Sequence, residues 1–127
     1  MIGLLHPGQM GAAIGSQLVS AGHEVLWCRA GRSESSVRRA ETAGLRAVDS
    51  MVDLLVSSEV VLSICPPAAA SDVAAQITGF RGIYVEANAI SPHRMIDISA
   101  RFRTVVDASI IGPPPHPDRA ARVYLSG

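Results

Sequence analysis

Short apolar runs alternate along the chain with longer, alanine-rich stretches that have the spacing of amphipathic helices. The apolar runs predict six strands, at residues 2–5, 24–28, 45–48, 59–64, 82–86 and 104–111. Residues 122–125 allow a seventh strand. The stretches between them predict helices, one of which covers residues 68–78. This alternation is typical of βαβ units and a parallel sheet. We therefore expect an α/β fold with a doubly wound, mostly parallel sheet in the strand order 3-2-1-4-5-6.

Composition limits the function classes. The 127 residues fit one domain, and a hydrophobic fraction of 48% with 17% charged residues indicates a globular chain. Eleven basic residues, all of them arginine, balance eleven acidic ones, which argues against a nucleic-acid partner. No apolar run is long enough for a membrane helix, and no signal peptide is recognisable, so we expect a cytoplasmic protein without membrane contact.

The turn after the first strand is the most informative segment. It is followed by a helix and reads His6-Pro7-Gly8-Gln9-Met10-Gly11. A dinucleotide fold of the Rossmann type places its phosphate loop here, with glycines where the backbone approaches the pyrophosphate and where the helix packs on the strand. Gly8 and Gly11 fit these two roles, whereas His6 stands in place of the first glycine. A purely structural turn is the alternative.

The end of the second strand indicates which dinucleotide is bound. NAD-binding folds place an acid there for the ribose hydroxyls, but this segment has Arg29, Arg32 and Ser33 instead. Guanidinium groups suit a 2′-phosphate, because they form charge-assisted hydrogen bonds with it. The residues therefore favour NADP over NAD, and solvated loop charges are the alternative. Arg38, Arg39 and Glu41 in the next helix are interpreted as a solvated face.

These motifs together resemble a known superfamily. The turn at residues 6–11 is similar to the phosphate turn of the 6-phosphogluconate dehydrogenase and β-hydroxyacid dehydrogenase superfamily, which includes imine reductases. Segments of similar order and spacing follow at residues 28–33, 61–67, 85–92 and 106–112. The resemblance covers essentially the whole chain, and it implies an NADP-binding domain over residues 1–127.

The resemblance also implies what the domain does. It implies hydride transfer to or from a small hydroxyacid, carbonyl or imine, with Cys65, Pro66, Pro67 and Asn88 near the nicotinamide end of NADP(H). The superfamily's catalytic lysine and its helical substrate and dimerisation domain lie beyond these residues, and the chain contains no lysine. We therefore expect a domain that binds the cofactor, provides no catalytic residue, and joins a homodimer only as part of a longer protein.

Purely structural roles remain alternatives for several of these residues. The alternative for His6 is that it only fills the turn. The alternative for Pro66 and Pro67 is that they simply end the strand, and the alternative for Asn88 is that it stabilises the loop. Glu86 and Asp107 are interpreted as structural hydrogen-bonding groups. Cys28 and Cys65 end strands about 10 Å apart, too far for a disulfide, and match no zinc motif.

Departures from the superfamily pattern and rival functions limit the resemblance. Ile111 stands where the hydroxyacid dehydrogenases have a substrate-binding serine, and Pro113 replaces the second glycine of that segment, which puts a 3-hydroxyacid substrate in doubt. A non-catalytic NADP(H)-sensing module and an assembly module are alternatives to the enzyme. A methyltransferase-like domain is a further rival, but such folds place an acid where Cys28 and Arg29 stand.

Overall fold

The computed structural model describes residues 1–119 and 121–126 and contains seven strands and five α-helices. The strands are β1 (Ile2–Leu5), β2 (Val25–Cys28), β3 (Arg46–Val48), β4 (Val60–Ser63), β5 (Ile83–Glu86), β6 (Thr104–Ile111) and β7 (Arg122–Ser126). The helices are α1 (Gln9–Ser20), α2 (Glu34–Ala43), α3 (Met51–Ser57), α4 (Ala70–Ala75) and α5 (Pro92–Ser99). A single 3-10 turn at Pro67–Ala69 leads into α4.

All seven strands form one sheet in the order β3-β2-β1-β4-β5-β6-β7. The first six are parallel to one another, and β7 runs antiparallel to β6. The predicted doubly wound order is therefore confirmed, and the segment that allowed a seventh strand forms an antiparallel edge. Because β1 and β4 are neighbours and their connections leave in opposite directions, their carboxyl ends border the crevice in which such sheets bind ligands.

Serine side chains fix where three of the helices begin. Ser33, Ser50 and Ser91 cap α2, α3 and α5, and each hydroxyl accepts a hydrogen bond from the backbone N–H three residues later. Pro92 follows Ser91 at the first helical position, where a missing N–H costs nothing. Gly44 ends α2 with φ of 81°, the left-handed conformation that a glycine adopts freely.

Helix α4 is shorter than the sequence predicted. The pattern indicated one helix over residues 68–78, but the regular helix ends at Ala75 after a 3-10 entry. Ile77 is buried in the core, and Gly79 adopts φ of 72°. A left-handed residue at this point cannot continue an α-helix, so the chain turns toward β5.

Two apolar layers hold the helices against the sheet. On one face, α3, α4 and α5 cover a cluster that includes Leu5, Leu26, Val61 and Tyr84. On the other face, α1 and α2 cover a cluster built around Trp27, which is 1% exposed. On this second face an apolar groove of about 240 Å³ runs across β4 to β7 beside α1. None of the described helices is long and apolar enough to cross a bilayer.

Candidate functional site

A groove of about 350 Å³ opens where β1 and β4 end. Eight residues from the β1–α1 turn and the end of β4 line it: His6, Gly8, Gln9, Met10, Gly11, Ile64, Cys65 and Pro66. Seven of these eight belong to the cofactor site predicted from the sequence; Ile64 is the additional one. The fold therefore brings the two predicted segments at residues 6–11 and 65–66 together in one groove.

The β1–α1 turn is tight. The Gly8 N–H donates to the His6 carbonyl oxygen over 2.7 Å, which closes a three-residue turn around Pro7. His6 has a φ of 64°, and it alone among the described non-glycine residues has a positive φ. Gly8 is the N-cap of α1, and a Cβ built on it would meet no protein atom within 4 Å. Gly8 also lines the groove.

Helix α1 directs unpaired backbone donors into the groove. Its N-cap is a glycine and provides no side-chain acceptor. Among the described residues, no protein group accepts from the N–H groups of Gln9, Met10 and Gly11, and the first N–H to be satisfied is that of Ala12, which donates to the Gly8 carbonyl. Three free donors and the positive end of the helix dipole make this an anion-binding position.

Gly11 allows α1 to lie close to the end of β1. A Cβ at this position would be 3.0 Å from the His6 carbonyl oxygen, a backbone atom that cannot move away easily. Gly15, one turn later, is similarly restricted by the side chains of Leu45 and Leu4. The close-packing role predicted for Gly11 is therefore confirmed by the geometry, and it places the helix N-terminus at the groove.

The three polar residues after β2 are engaged differently. Arg29 forms an ion pair with Asp49, with 2.8 Å between Nε and Oδ1. The Ser33 hydroxyl accepts from the Ser36 N–H and so caps α2. Arg32 instead reaches back to the β1–α1 turn, where its Nη2 contacts Nδ1 of His6. Of the two arginines, Arg29 is paired with an acid and Arg32 has no acidic partner in the described structure.

His6 and Arg32 also line a smaller cavity of about 100 Å³ between the ends of β1 and β2, together with Leu5, Cys28 and Met51 among others. Burial lowers the pKa of His6 below its ordinary value of 6.5, and the positive charge of Arg32 lowers it further. The imidazole is therefore neutral at pH 7 in this arrangement.

Arg39 contacts the β1–α1 turn, which the sequence pattern did not indicate. It is exposed, as expected for a solvated face, and its Nη1 donates to the Pro7 carbonyl oxygen over 3.3 Å. The contact follows from the packing of α2 against α1, which places this side chain beside the phosphate turn. One sequence feature could have indicated this contact. Arg39 lies six residues after the Ser33 cap, on the turns of α2 that pack against α1.

The end of β4 is held from behind by Asn88. The Cys65 N–H donates to Asn88 Oδ1 over 2.7 Å, and Asn88 Nδ2 donates to Ser63 Oγ over 3.2 Å. Asn88 is 6% exposed, so its amide serves this internal network. Pro66 lines the groove, whereas Pro67 begins the 3-10 turn. Contact of Asn88 or Pro67 with a cofactor stays a prediction.

Glu86 completes this network at the end of β5. Its side chain is fully buried, Oε1 accepts from Asn88 Nδ2 over 2.5 Å, and Oε2 has no partner among the described residues. Burial raises the pKa of Glu86 to about 7, and the nearby Asp107 carboxylate adds to the increase. Cys65 and Cys28 are free thiols, and burial raises the pKa of Cys65.

Comparison with known proteins agrees with this geometry. Residues 1–101 match the model of the family described as NADP oxidoreductase, coenzyme F420-dependent. The chain belongs to this family. A curated relative, described as an uncharacterized 28.5 kDa protein in the 7S RNA 5′ region of Methanothermus fervidus, is 32% identical over 115 residues, which are 87% of this chain and 45% of that protein.

Solved structures show the same fold. A conserved protein of unknown function, described as structurally similar to 3-hydroxyacid dehydrogenases, superposes with a TM-score of 0.85 at 32% identity over 98% of this chain and 48% of its own. The imine reductase of Myxococcus stipitatus, a variant solved with NAD⁺, superposes with a TM-score of 0.73 at 18% identity over 90% of this chain and 40% of its own. The resemblance and the Rossmann-like fold predicted from the sequence are confirmed.

The family member described here spans about half the length of the relatives it matches. It corresponds to a domain of the NAD(P)-dependent oxidoreductase type, with hydroxyacid dehydrogenases and imine reductases as structural neighbours.

Proposed function

We propose that this chain is the NADP(H)-binding domain of an oxidoreductase that transfers hydride to or from a small hydroxyacid, carbonyl or imine. The observation that carries the proposal is the groove at the ends of β1 and β4, because three free N–H groups of α1 face it and an arginine without an acidic partner lies at its rim. A dinucleotide phosphate requires such donors, and a 2′-phosphate requires the additional cation.

The proposal assigns each part of the cofactor to a part of the crevice. The pyrophosphate lies on Gly8 to Gly11, and the 2′-phosphate lies at Arg32, with Arg29 and Ser33 nearby. The nicotinamide end lies along Cys65, Pro66 and Pro67. Asn88 supports this end by holding the Cys65 backbone in place. The nicotinamide supplies the hydride chemistry, and the domain fixes its orientation.

The family description indicates what could exchange hydride with the nicotinamide. The family description names both NADP and coenzyme F420, and a deazaflavin is therefore a candidate alongside a carbonyl or imine. We propose that a C-terminal helical domain completes the substrate pocket and provides the catalytic residue and the dimer contact. The domain alone is then expected to bind NADP(H) and to turn over no substrate. We also propose a cytoplasmic location, where reducing conditions keep its thiols free.

Mapping of backbone amide shifts by NMR tests the proposal. NADPH should shift the amides of Gln9, Met10 and Gly11 and the Arg32 Nε–H signal. An NADPH complex whose shifts avoid the β1–α1 turn would contradict it. Robust oxidation of NADPH by these 127 residues with a simple carbonyl or imine would contradict the inactivity of the isolated domain.

An assembly role is the second candidate, and one observation favours it. The apolar groove across β4 to β7 is lined by Leu62, Val85, Ile110, Val123 and Leu125, among others, and Leu125 is 69% exposed. Exposed apolar surface of this kind is typical of an interface. Sedimentation at increasing protein concentration separates the two functions, since an assembly module without nucleotide binding would self-associate and ignore NADPH.

A further inference from the structure

His6 occupies a position where its conformation is unfavourable. Its φ of 64° lies in the left-handed region, where a Cβ is crowded by the backbone and a glycine is at ease. Outlying backbone conformations of this kind concentrate at functional sites, where the side chain compensates for the cost. The imidazole of His6 is the part of this residue that a glycine would lack.

The imidazole lies against Arg32, which has no acidic partner in the described structure. Nη2 of Arg32 contacts Nδ1 of His6 and lies 3.4 Å from Nε2. An arginine can only donate hydrogen bonds, so Nδ1 must accept, and the ring proton is assigned to Nε2. The same imidazole lines both the groove at the ends of β1 and β4 and the smaller cavity between β1 and β2.

We propose that His6 and Arg32 together bind the 2′-phosphate of NADP(H), and that His6 takes up a proton when this phosphate arrives. The proposal rests on the proposed function and adds a residue that discriminates between the two nicotinamide dinucleotides. Arg32 is the permanent cation of the pair. His6 is neutral while it accepts from Arg32, and it becomes a second cation and donor once a phosphate oxygen replaces that contact.

The electrostatics give the direction of the effect. Burial and the charge of Arg32 lower the pKa of His6 in the empty protein. A phosphate dianion beside the ring raises that pKa, because it stabilises the imidazolium. Binding is then accompanied by proton uptake, so the affinity for NADPH rises as the pH falls from 8 toward 6. NADH carries no phosphate at this position, and its affinity does not change through His6.

Other charged or ionisable groups lie close to this rim. They are Arg29 with its partner Asp49, Arg39 on the Pro7 carbonyl, and the thiols of Cys28 and Cys65. Glu86, with a pKa of about 7, also supports the groove wall through Asn88 and the Cys65 backbone. The contribution of His6 is therefore the part of the pH dependence that NADPH shows beyond NADH and that a His6 variant removes.

Histidine-selective NMR provides the direct test. The ring signals of ¹⁵N-labelled protein are titrated with pH, alone and with saturating adenosine 2′,5′-bisphosphate or ADP, which lacks the 2′-phosphate. The 2′,5′-bisphosphate should raise the pKa of His6 by about one unit or more, and ADP should leave it nearly unchanged. His23, exposed before β2 at the opposite edge of the sheet, is the internal control.

A variant separates the proton uptake of His6 from that of the phosphate. H6N retains a residue type that tolerates positive φ but removes the imidazole. It should lower NADPH affinity at pH 6 by about tenfold, flatten its pH dependence and leave NADH affinity unchanged. H6G is the second variant, since glycine relieves the strain at this position and should give the same binding result. H23N is the matched control and should behave like the natural chain.

The outcomes distinguish the inference from the proposed function. If NADPH binds tightly while the His6 titration is unaffected by the 2′,5′-bisphosphate, the inference is wrong and the proposed function stands. If ADP shifts His6 as strongly, the imidazole faces the pyrophosphate and the inference is also wrong. If neither dinucleotide binds, the proposed function fails and the inference fails with it.

Discussion

Asn88 and Glu86 form a buried hydrogen-bonded pair directly behind the crevice. Asn88 Nδ2 lies 2.5 Å from Glu86 Oε1, while its Oδ1 accepts from the Cys65 backbone over 2.7 Å. Glu86 and Ser63 are register partners on neighbouring strands, and so are Glu86 and Asp107. A polar row thus crosses the carboxyl ends of β4, β5 and β6 and ties the groove wall to the sheet.

The buried carboxyl of Glu86 is expected to make stability depend on pH. Because its pKa rises from 4.5 to about 7 on folding, the folded protein binds the proton more tightly than the unfolded chain. The stabilisation is complete below about pH 4.5 and is lost as the pH rises to about 7. The shift corresponds to about 3 kcal/mol of unfolding free energy across this range. Urea unfolding between pH 5 and pH 8 measures it.

Glu86→Gln should remove this pH dependence, because the neutral amide keeps an acceptor for Asn88 without a titrating proton. Glu41→Gln on the exposed face of α2 is the matched control and should leave the dependence intact. A steep decline in stability that persists in the Glu86→Gln variant would assign the effect to another group.

Asn88→Ala should destabilise the domain by about 1–3 kcal/mol, because it leaves the Cys65 N–H and Glu86 without a buried partner. The loosened turn at Cys65 and Pro66 should also weaken NADPH binding. Asn88→Asp keeps the shape but places a second carboxyl beside Glu86, so its destabilisation should grow as the pH rises. Denaturant unfolding of both variants checks this, and equal stability losses at pH 5 and pH 8 for Asn88→Asp would argue against the carboxyl contact.

Gly8 and Gly11 form a matched pair for testing the phosphate turn. A Cβ at Gly8 meets nothing in the protein, whereas one at Gly11 would be 3.0 Å from the His6 carbonyl oxygen. Gly8→Ala should therefore leave the melting temperature unchanged but weaken NADPH by at least about tenfold, since the methyl group occupies space for the pyrophosphate. Gly11→Ala should lower both stability and affinity. Unchanged affinity in stable Gly8→Ala protein would remove the pyrophosphate from this turn.

Arg32→Ala should reduce NADPH affinity by about ten- to a hundredfold, the usual effect of losing a hydrogen bond to a charged group, with little change for NADH. Arg29→Ala should have a smaller effect, because Arg29 is already paired with Asp49. Arg38→Ala is the control, since that exposed side chain pairs weakly with Glu34 at 4.0 Å. Fluorescence anisotropy with a labelled NADP analogue measures all three, and equal losses for NADPH and NADH would contradict a 2′-phosphate role.

Most of the fold could be predicted from the sequence because each level of information agreed. The short apolar runs and the longer amphipathic stretches indicated the elements, and the parallel order followed from the βαβ connections. The exception was the helix predicted to reach residue 78, because the regular helix ends at Ala75 and Ile77 is buried in the core outside it.

The site was less predictable, because side-chain partners depend on distant parts of the chain. The turn at Gly8 and Gly11 follows local rules and was predicted. The ion pair of Arg29 with Asp49 joins residues 20 positions apart, and the contact of Arg39 with Pro7 joins residues 32 apart. For Asn88 the sequence left a nicotinamide contact and a loop-stabilising role open. The structure buries its amide in a network that holds the Cys65 backbone and contacts Glu86.

Calorimetric titration with NADPH and, separately, NADH tests whether this domain binds NADP(H) and selects it over NAD(H). Calorimetry is preferred to tryptophan fluorescence, because Trp27 is 1% exposed within the layer beneath α1 and α2. We expect one site per chain and an affinity for NADPH at least about tenfold higher than for NADH, since only NADPH offers a 2′-phosphate to Arg32. Equal affinities, tighter NADH binding, or no heat with either dinucleotide would contradict it.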